Sequence, residues 1–202
     1  EICINLFYRL AQPRNTRHIF RTGAQVSLLA ASEKNRMNLH MLVHIQNSHA
    51  LGPMNLMAAD AQHIDTHFFR QNPEEFYRFY RAKMLAPHAK PNAAHKKLAQ
   101  WEKEGKLKAV ITQNIDGLHQ AAGSKTVLEL HGSTLRNYCM KCGRFYDQNA
   151  ILESTGVPHC ECGGVIKPDV VLYEESLNEK VLDGAIRSIA AADLLIVGGT
   201  SL

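Results

Sequence analysis

No part of this sequence approaches the roughly 18 consecutive apolar residues that a membrane-spanning helix requires. The opening stretch, EICINLFYRLAQPRN, lacks a basic leader followed by an apolar core, so a secretory signal is not expected. Charge of one sign is not concentrated anywhere. The net charge is +4 over 202 residues and the pI is near 8.8, with Lys and Arg spread along the chain. That excludes the basic stripe by which a nucleic-acid binder is usually recognised. Internal repeats and low-complexity tracts are absent too. Cysteine is scarce at five residues, yet four of them fall in two close pairs. Such pairs suit metal thiolates in a reducing compartment better than disulfides, which makes the cytoplasm the expected location.

What is present fits a globular chain. It is 45% hydrophobic and 21% charged, enough apolar content for one domain with at most a small appendage. From about residue 66 the pattern is coherent. In NPEEFYRFYRAKML, Asn72 can cap a helix, Pro73 suits its first position, and Phe76, Phe79, Tyr80 and Met84 recur at helical spacing. PNAAHKKLAQWEKEG repeats this grammar, with Asn92 as cap, Ala94, Leu98 and Trp101 on one face, and Gly105 as the stop. KLKAVITQN predicts a buried parallel strand that delivers Gln113 and Asn114 at its carboxyl end, where open α/β sheets place ligands. TVLEL is a second strand ending at His131 and Gly132. EKVLDGAIRSIAAA reads as a helix and DLLIVGGTSL as a strand entering a glycine turn. The alternation predicts a doubly wound sheet. A turn such as GGTS normally feeds a further helix, so more of the domain is expected beyond Leu202. Residues 1 to about 62 have weak periodicity and yield no assignable element.

Cys139 and Cys142 form a Cys-x-x-Cys pair, Cys160 and Cys162 form a tighter Cys-x-Cys, and residues 143 to 159 separate the pairs. This resembles a four-thiolate zinc site built on two knuckles, with Gly143, Gly163 and Gly164 giving the backbone its turns. Four thiolates saturate a tetrahedral ion, so the site is structural. His131 is then not needed as a ligand, and His159 is only a spare one. His131 is left for chemistry or for a buried structural place. Cys3 reads as a lone thiol.

Taken together, TQNIDGLHQAAG (112–123), ELHGS (129–133), the cysteine pairs, KPDVVLYEE (167–175) and GGTSL (198–202) resemble the sirtuins, with bacterial members most similar. The resemblance covers about residues 66 to 202. It implies a Rossmann-like NAD domain with a small zinc-ribbon domain, and an NAD-dependent protein-lysine deacetylase that meets acetyl-lysine peptides in the cleft between them. On this division, residues 1–62 are a divergent part of the Rossmann-like domain and 63–134 its NAD-binding part with a helical insertion. Residues 135–168 are the ribbon, and 169–202 return to the large domain. The resemblance assigns Gln113, Asn114 and Asp116 to the nicotinamide and ribose pocket, and His131 as general base on the ribose hydroxyls. Val170 and Val171 pair with the substrate peptide by strand addition, while Gly199, Thr200 and Ser201 approach the dinucleotide. A neutral imidazole suits proton transfer near neutral pH. Asn114 and Asp116 could instead cap the following helix, and Val170 and Val171 could be plain strand core. The aromatics around Phe68, Phe69 and FYRFY are read as core. At the place where sirtuins favouring acidic acyl groups carry a Tyr-x-x-Arg pair, this chain has Tyr80 and Lys83. Lysine lacks the bidentate fork, so an acetyl substrate is expected.

The resemblance fails near the amino end. The family's glycine-rich phosphate loop, GAG-[IV]-S followed by SGIPDFR, is TGAQVSLLAASEKNR in this chain. Gly23, Ala24, Val26, Ser27 and Arg36 fit the pattern, so Gly23 and Ala24 remain the cofactor-binding candidates. Gln25 stands where the second glycine belongs, and the GIPDF segment is replaced. A shifted reading frame across this region is one explanation. Other readings are a non-catalytic zinc-ribbon binding protein, an inactive sirtuin-like fragment, or ADP-ribosyl transfer in the same pocket.

Overall fold

The structure, a computed structural model, describes residues 18–22, 39–43 and 62–198. Five strands form a parallel sheet: β1 (His18–Thr22), β2 (Leu39–Val43), β3 (Leu107–Thr112), β4 (Val127–Glu129) and, late in the chain, β8 (Leu194–Gly198). Their spatial order is β1-β8-β2-β3-β4. The sequence pattern located β3, β4 and β8 but not β1 or β2.

The apolar runs of β3 and β8 are buried on both faces, as a covered parallel sheet demands. Alternation divides them cleanly. Val110 and Ile196 pack with Leu98 and Leu107 in one core, whereas Ile111, Leu195 and Val197 pack with Leu130, Ala185 and Ile189 in another. The helix Ala93–Lys103 therefore covers one face and the helix Glu179–Ala190 the other, the doubly wound arrangement expected from the sequence. Both helices start where their caps dictate. The Asn92 side chain accepts from the His95 N–H in a capping box, and Asn178 accepts from Lys180 and Val181. Glu102 accepts from the Lys125 and Thr126 N–H groups at 2.8 and 2.7 Å, which moors the first of these helices to the start of β4.

A second sheet is antiparallel: β5 (Gly132–Cys139) lies between β6 (Phe145–Tyr146) and β7 (Ile166–Val170). Its core is completed from elsewhere in the chain. A helix at Thr66–Gln71 is capped by Asp65, and a second at Pro73–Phe79 runs on as a π turn over Tyr80–Met84. Phe69, Phe76, Tyr77, Tyr80 and Leu85 join Ile151, Ile166, Val170 and Leu172 in one cluster. The Tyr77 hydroxyl donates to the Ile166 carbonyl at 2.6 Å, and Arg81 donates to the Ile151 carbonyl at 2.8 Å. Asn72 stands at the expected cap position, but its side chain makes no cap hydrogen bond there. Among the described residues no helix is long and apolar enough to cross a membrane.

Two histidines are sealed between the helix Ala93–Lys103 and a short helical turn at Leu118–Ala121. His95 and His119 are fully buried with ring centroids 4.7 Å apart, and both ring nitrogens of His119 lack a hydrogen-bond partner among the described residues. Burial, and then the neighbouring His95, holds the His119 pKa down to about 4. Burial also lowers that of His95, against the pull of Asp116. An unfolded histidine titrates near 6.5. Between these values the unfolded chain binds the extra proton, so folding stability falls as pH drops. The expected loss from His119 alone is about 3 kcal/mol between pH 6.5 and 4. Urea unfolding measured across that range should show the fall in the wild type, and His119→Gln should flatten part of it.

Candidate functional site

The parallel register brings the carboxyl ends of the large sheet into one row: Thr22, Gly198, Val43, Thr112 and Glu129 are successive neighbours across it. Whatever follows each strand is delivered to that rim, where parallel sheets leave a crevice. After β3 come Gln113, Asn114 and Asp116, all half-buried. The loop is held tightly. Asn114 N–H donates to Thr112 Oγ1 at 3.0 Å, and the Thr134 N–H and hydroxyl both donate to the Ile115 carbonyl. Asp116 Oδ1 accepts from the Leu118 N–H at 2.9 Å, a local turn bond, while the cap position of the short helix that follows is held by Gly117 in a left-handed conformation, with no side-chain cap.

After β4 the chain passes through Leu130, whose N–H donates to the Thr112 carbonyl at 2.9 Å, and reaches His131. His131 is half-buried in the turn between β4 and β5. Its carbonyl accepts from the Val171 N–H at 3.0 Å, and Gly132 pairs in register with Val170. The candidate base and the candidate peptide-pairing segment are thus joined by main-chain bonds. Val170 is buried and Val171 half-buried. Gly132 permits this closeness: its φ is +77°, and a Cβ there would lie 1.9 Å from the Asp169 carbonyl oxygen.

Sequence reasoning missed an ionic brace at the same place. Arg136 sits in the irregular stretch of β5 between Ser133 and Asn137. It donates from Nη1 to Glu129 at 2.7 Å and from Nε to Asp169 at 2.8 Å. Burial lowers its pKa, and the two carboxylates more than offset that, leaving it above its ordinary value. Glu129 and Asp169 were visible within ELHGS and KPDVV. Nothing in the one-dimensional pattern says that an arginine between them in sequence will bridge them.

The cysteines lie at the far end of β5. Gly132 to Cys139 spans on the order of 20 Å of extended strand. The Sγ atoms of Cys139, Cys142, Cys160 and Cys162 all lie within 4.8 Å of one another, with 3.4 Å from Cys139 to Cys162 and 3.6 Å from Cys142 to Cys160. These are too long for a disulfide, whose sulfurs stand about 2.05 Å apart. They fit a tetrahedral ion, since zinc–sulfur bonds of about 2.3 Å place sulfurs about 3.8 Å from each other. The Cys162 N–H and the Tyr146 hydroxyl lower the Cys160 pKa to about 6, while the crowding of the neighbouring sulfurs raises that of Cys162. The case for a metal therefore rests on the converging geometry of the four sulfurs. His131 and His159 are not in this sulfur group; His159 Nδ1 is instead 2.8 Å from the Val157 carbonyl.

Gly23, Ala24, Gly199, Thr200 and Ser201, the residues expected to approach the dinucleotide, lie outside the described residues. Tyr80 is fully buried, with its hydroxyl unpartnered among the described residues, while Lys83 is exposed. The two do not face a common site. Phe69, Phe76, Tyr77, Phe79 and Tyr80 are core, as expected, and Phe68 packs at its edge.

Gly164 is the tightest point of the knuckles, because a Cβ there would meet Cys139 Sγ and Lys141 Cβ, both at 2.6 Å. Purified chain should carry about one zinc by elemental analysis, four thiolates forming one closed shell. Cys142→Ser and Gly164→Ala should each lose most of it, and retention of full zinc by both would refute the assignment.

Three comparisons bear on this geometry. The model of the Sir2 family matches residues 49–202. The NAD-dependent protein deacetylase of Clostridium perfringens is 59% identical over 150 residues, which is 74% of this chain and 62% of that protein. The chain thus spans less than two thirds of the length of that curated relative. Among solved structures, "Sir2 bound to acetylated peptide" superposes with a TM-score of 0.74 at 39% identity, covering 83% of this chain and 71% of that one. "Sir2-p53 peptide-NAD+" does so with a TM-score of 0.68 at 38% identity, covering 83% and 72%. The chain belongs to the Sir2 family.

Proposed function

We propose that the chain is an NAD-dependent protein-lysine deacetylase acting on acetyl-lysine peptides in the cytoplasm, with a structural zinc. One observation carries this reading: the His131 turn and the 170–171 segment are hydrogen-bonded to each other at the rim where Gln113 and Asn114 also emerge. The names of the relatives and of the superposed structures support the same reading. We take the cleft as lying between a large domain and a zinc ribbon, with the division that the sequence pattern suggests.

In this reading, bound NAD supplies an activated ribose carbon to which the acyl oxygen is transferred. The chain supplies the rest. Gln113, Asn114 and Asp116 line the nicotinamide and ribose pocket, Gly23, Ala24, Gly199, Thr200 and Ser201 contribute to dinucleotide binding, and the neutral imidazole of His131 removes a proton from a ribose hydroxyl. The peptide adds as a strand beside Val170 and Val171, whose main chain sets its depth by hydrogen bonding. Four cysteines hold zinc away from the chemistry, where it keeps the small sheet folded and leaves no open coordination position.

Incubation with NAD and an acetyl-lysine peptide should release nicotinamide, measured by chromatography. His131→Ala should slow the appearance of deacetylated peptide, which follows nicotinamide departure, by at least about a hundredfold, in line with loss of a general base, while zinc content stays unchanged. Equal yields of deacetylated peptide from both proteins would show that His131 is not the general base.

A further inference from the structure

We propose that Arg136 is a positioning residue that fixes the distance between the catalytic turn and the peptide-binding strand. The proposal rests on the roles assigned to His131 and to Val170 and Val171 under the deacetylase reading. Glu129 lies two residues before His131, at the end of the large sheet, and is nearly buried. Asp169 lies one residue before Val170, in the small sheet. Arg136 reaches both with separate nitrogens, at 2.7 and 2.8 Å, so a single planar cation spans the two sheets next to their shared hydrogen bond. The guanidinium fork holds two acids in a fixed relation, whereas a lysine ammonium on a flexible stem does not. The main-chain link it guards is sparse. β5 and β7 pair at Gly132 and Ser133 and resume only at Asn137, with the register shift between. Without the brace, the strand carrying Val170 and Val171 can move against His131 although each sheet stays folded. The peptide would then bind at the wrong depth, while the nicotinamide pocket after β3 is unaffected.

The test has two independent readings on the same proteins. Hydrogen exchange of the Val171 amide, which donates to the His131 carbonyl, reports the brace without any activity. In Arg136→Gln and Asp169→Asn this amide should exchange faster, while the core amides of Val110 and Ile111 keep their protection and zinc is retained. Steady-state kinetics should show the peptide KM raised about tenfold, the size expected for losing one charged hydrogen bond, with the NAD KM unchanged. Arg136→Lys should resemble Arg136→Gln; recovery by lysine would mean that charge alone matters, and would overturn the positioning role. Unchanged Val171 exchange in Arg136→Gln would overturn the brace. Faster exchange with an unchanged peptide KM would overturn its link to substrate. A wild-type chain that protects Val171 yet releases no nicotinamide sinks the functional reading and the substrate role of Arg136 with it, an outcome distinct from failure of the brace.

Discussion

The main-chain contact between the turn at His131 and the strand ending at Val170 is the constraint on which the arrangement of the site depends. It ties a parallel sheet to an antiparallel one at the point where both present their ends. The contact exists because residue 132 has no side chain, since any Cβ would overlap the Asp169 carbonyl. Around it lie the Leu130–Thr112 and Thr134–Ile115 bonds. The loop after β3, the turn after β4 and the start of β5 therefore form one hydrogen-bonded unit. Function in such folds is placed on loops of this kind while the sheets hold them still.

The small sheet is too slight to bury a core by itself, and it solves this in two ways. At one end four sulfurs converge, a set that fits a tetrahedral metal shell able to hold together residues distant in sequence in place of apolar contacts. Along its face the aromatic helices between Thr66 and Met84 supply Phe69, Phe76, Tyr77 and Tyr80. The helical segment and the ribbon thus share a core, although they are separated in sequence by β3 and β4. The hydrogen bond from Tyr77 and those from Arg81 to backbone carbonyls of the small module fix their orientation as well as their proximity.

Much of this was legible because local rules and tertiary demands agree. Asn92 begins a helix and is its cap; LKAVIT is a doubly buried strand and reads as one. The cysteine spacing announced the sulfur cluster because knuckle geometry is local to each pair. Other features were hidden. β1 and β2 gave no signal, since parallel strands are identified by their neighbours as much as by their own residues. The Asp65 cap is a local bond to the His67 and Phe68 N–H groups that the sequence reading passed over, and the π turn at Tyr80 carried no signal in the residue pattern. His95 and His119 read as ordinary polar members of helices, and only the packed structure shows them sealed together.

The sequence by itself determined the elements around each motif, the four-thiolate set and the separation of His131 from it, because capping, alternation and ligand spacing act over a few residues. Tertiary structure alone decided which motifs meet. The bridge from Arg136 to Glu129 and Asp169, the seat of Val171 against His131 and the shared core of helices and ribbon depend on strand register and on chain crossings. Those are set by burial summed over the whole chain, and no short window of sequence contains them.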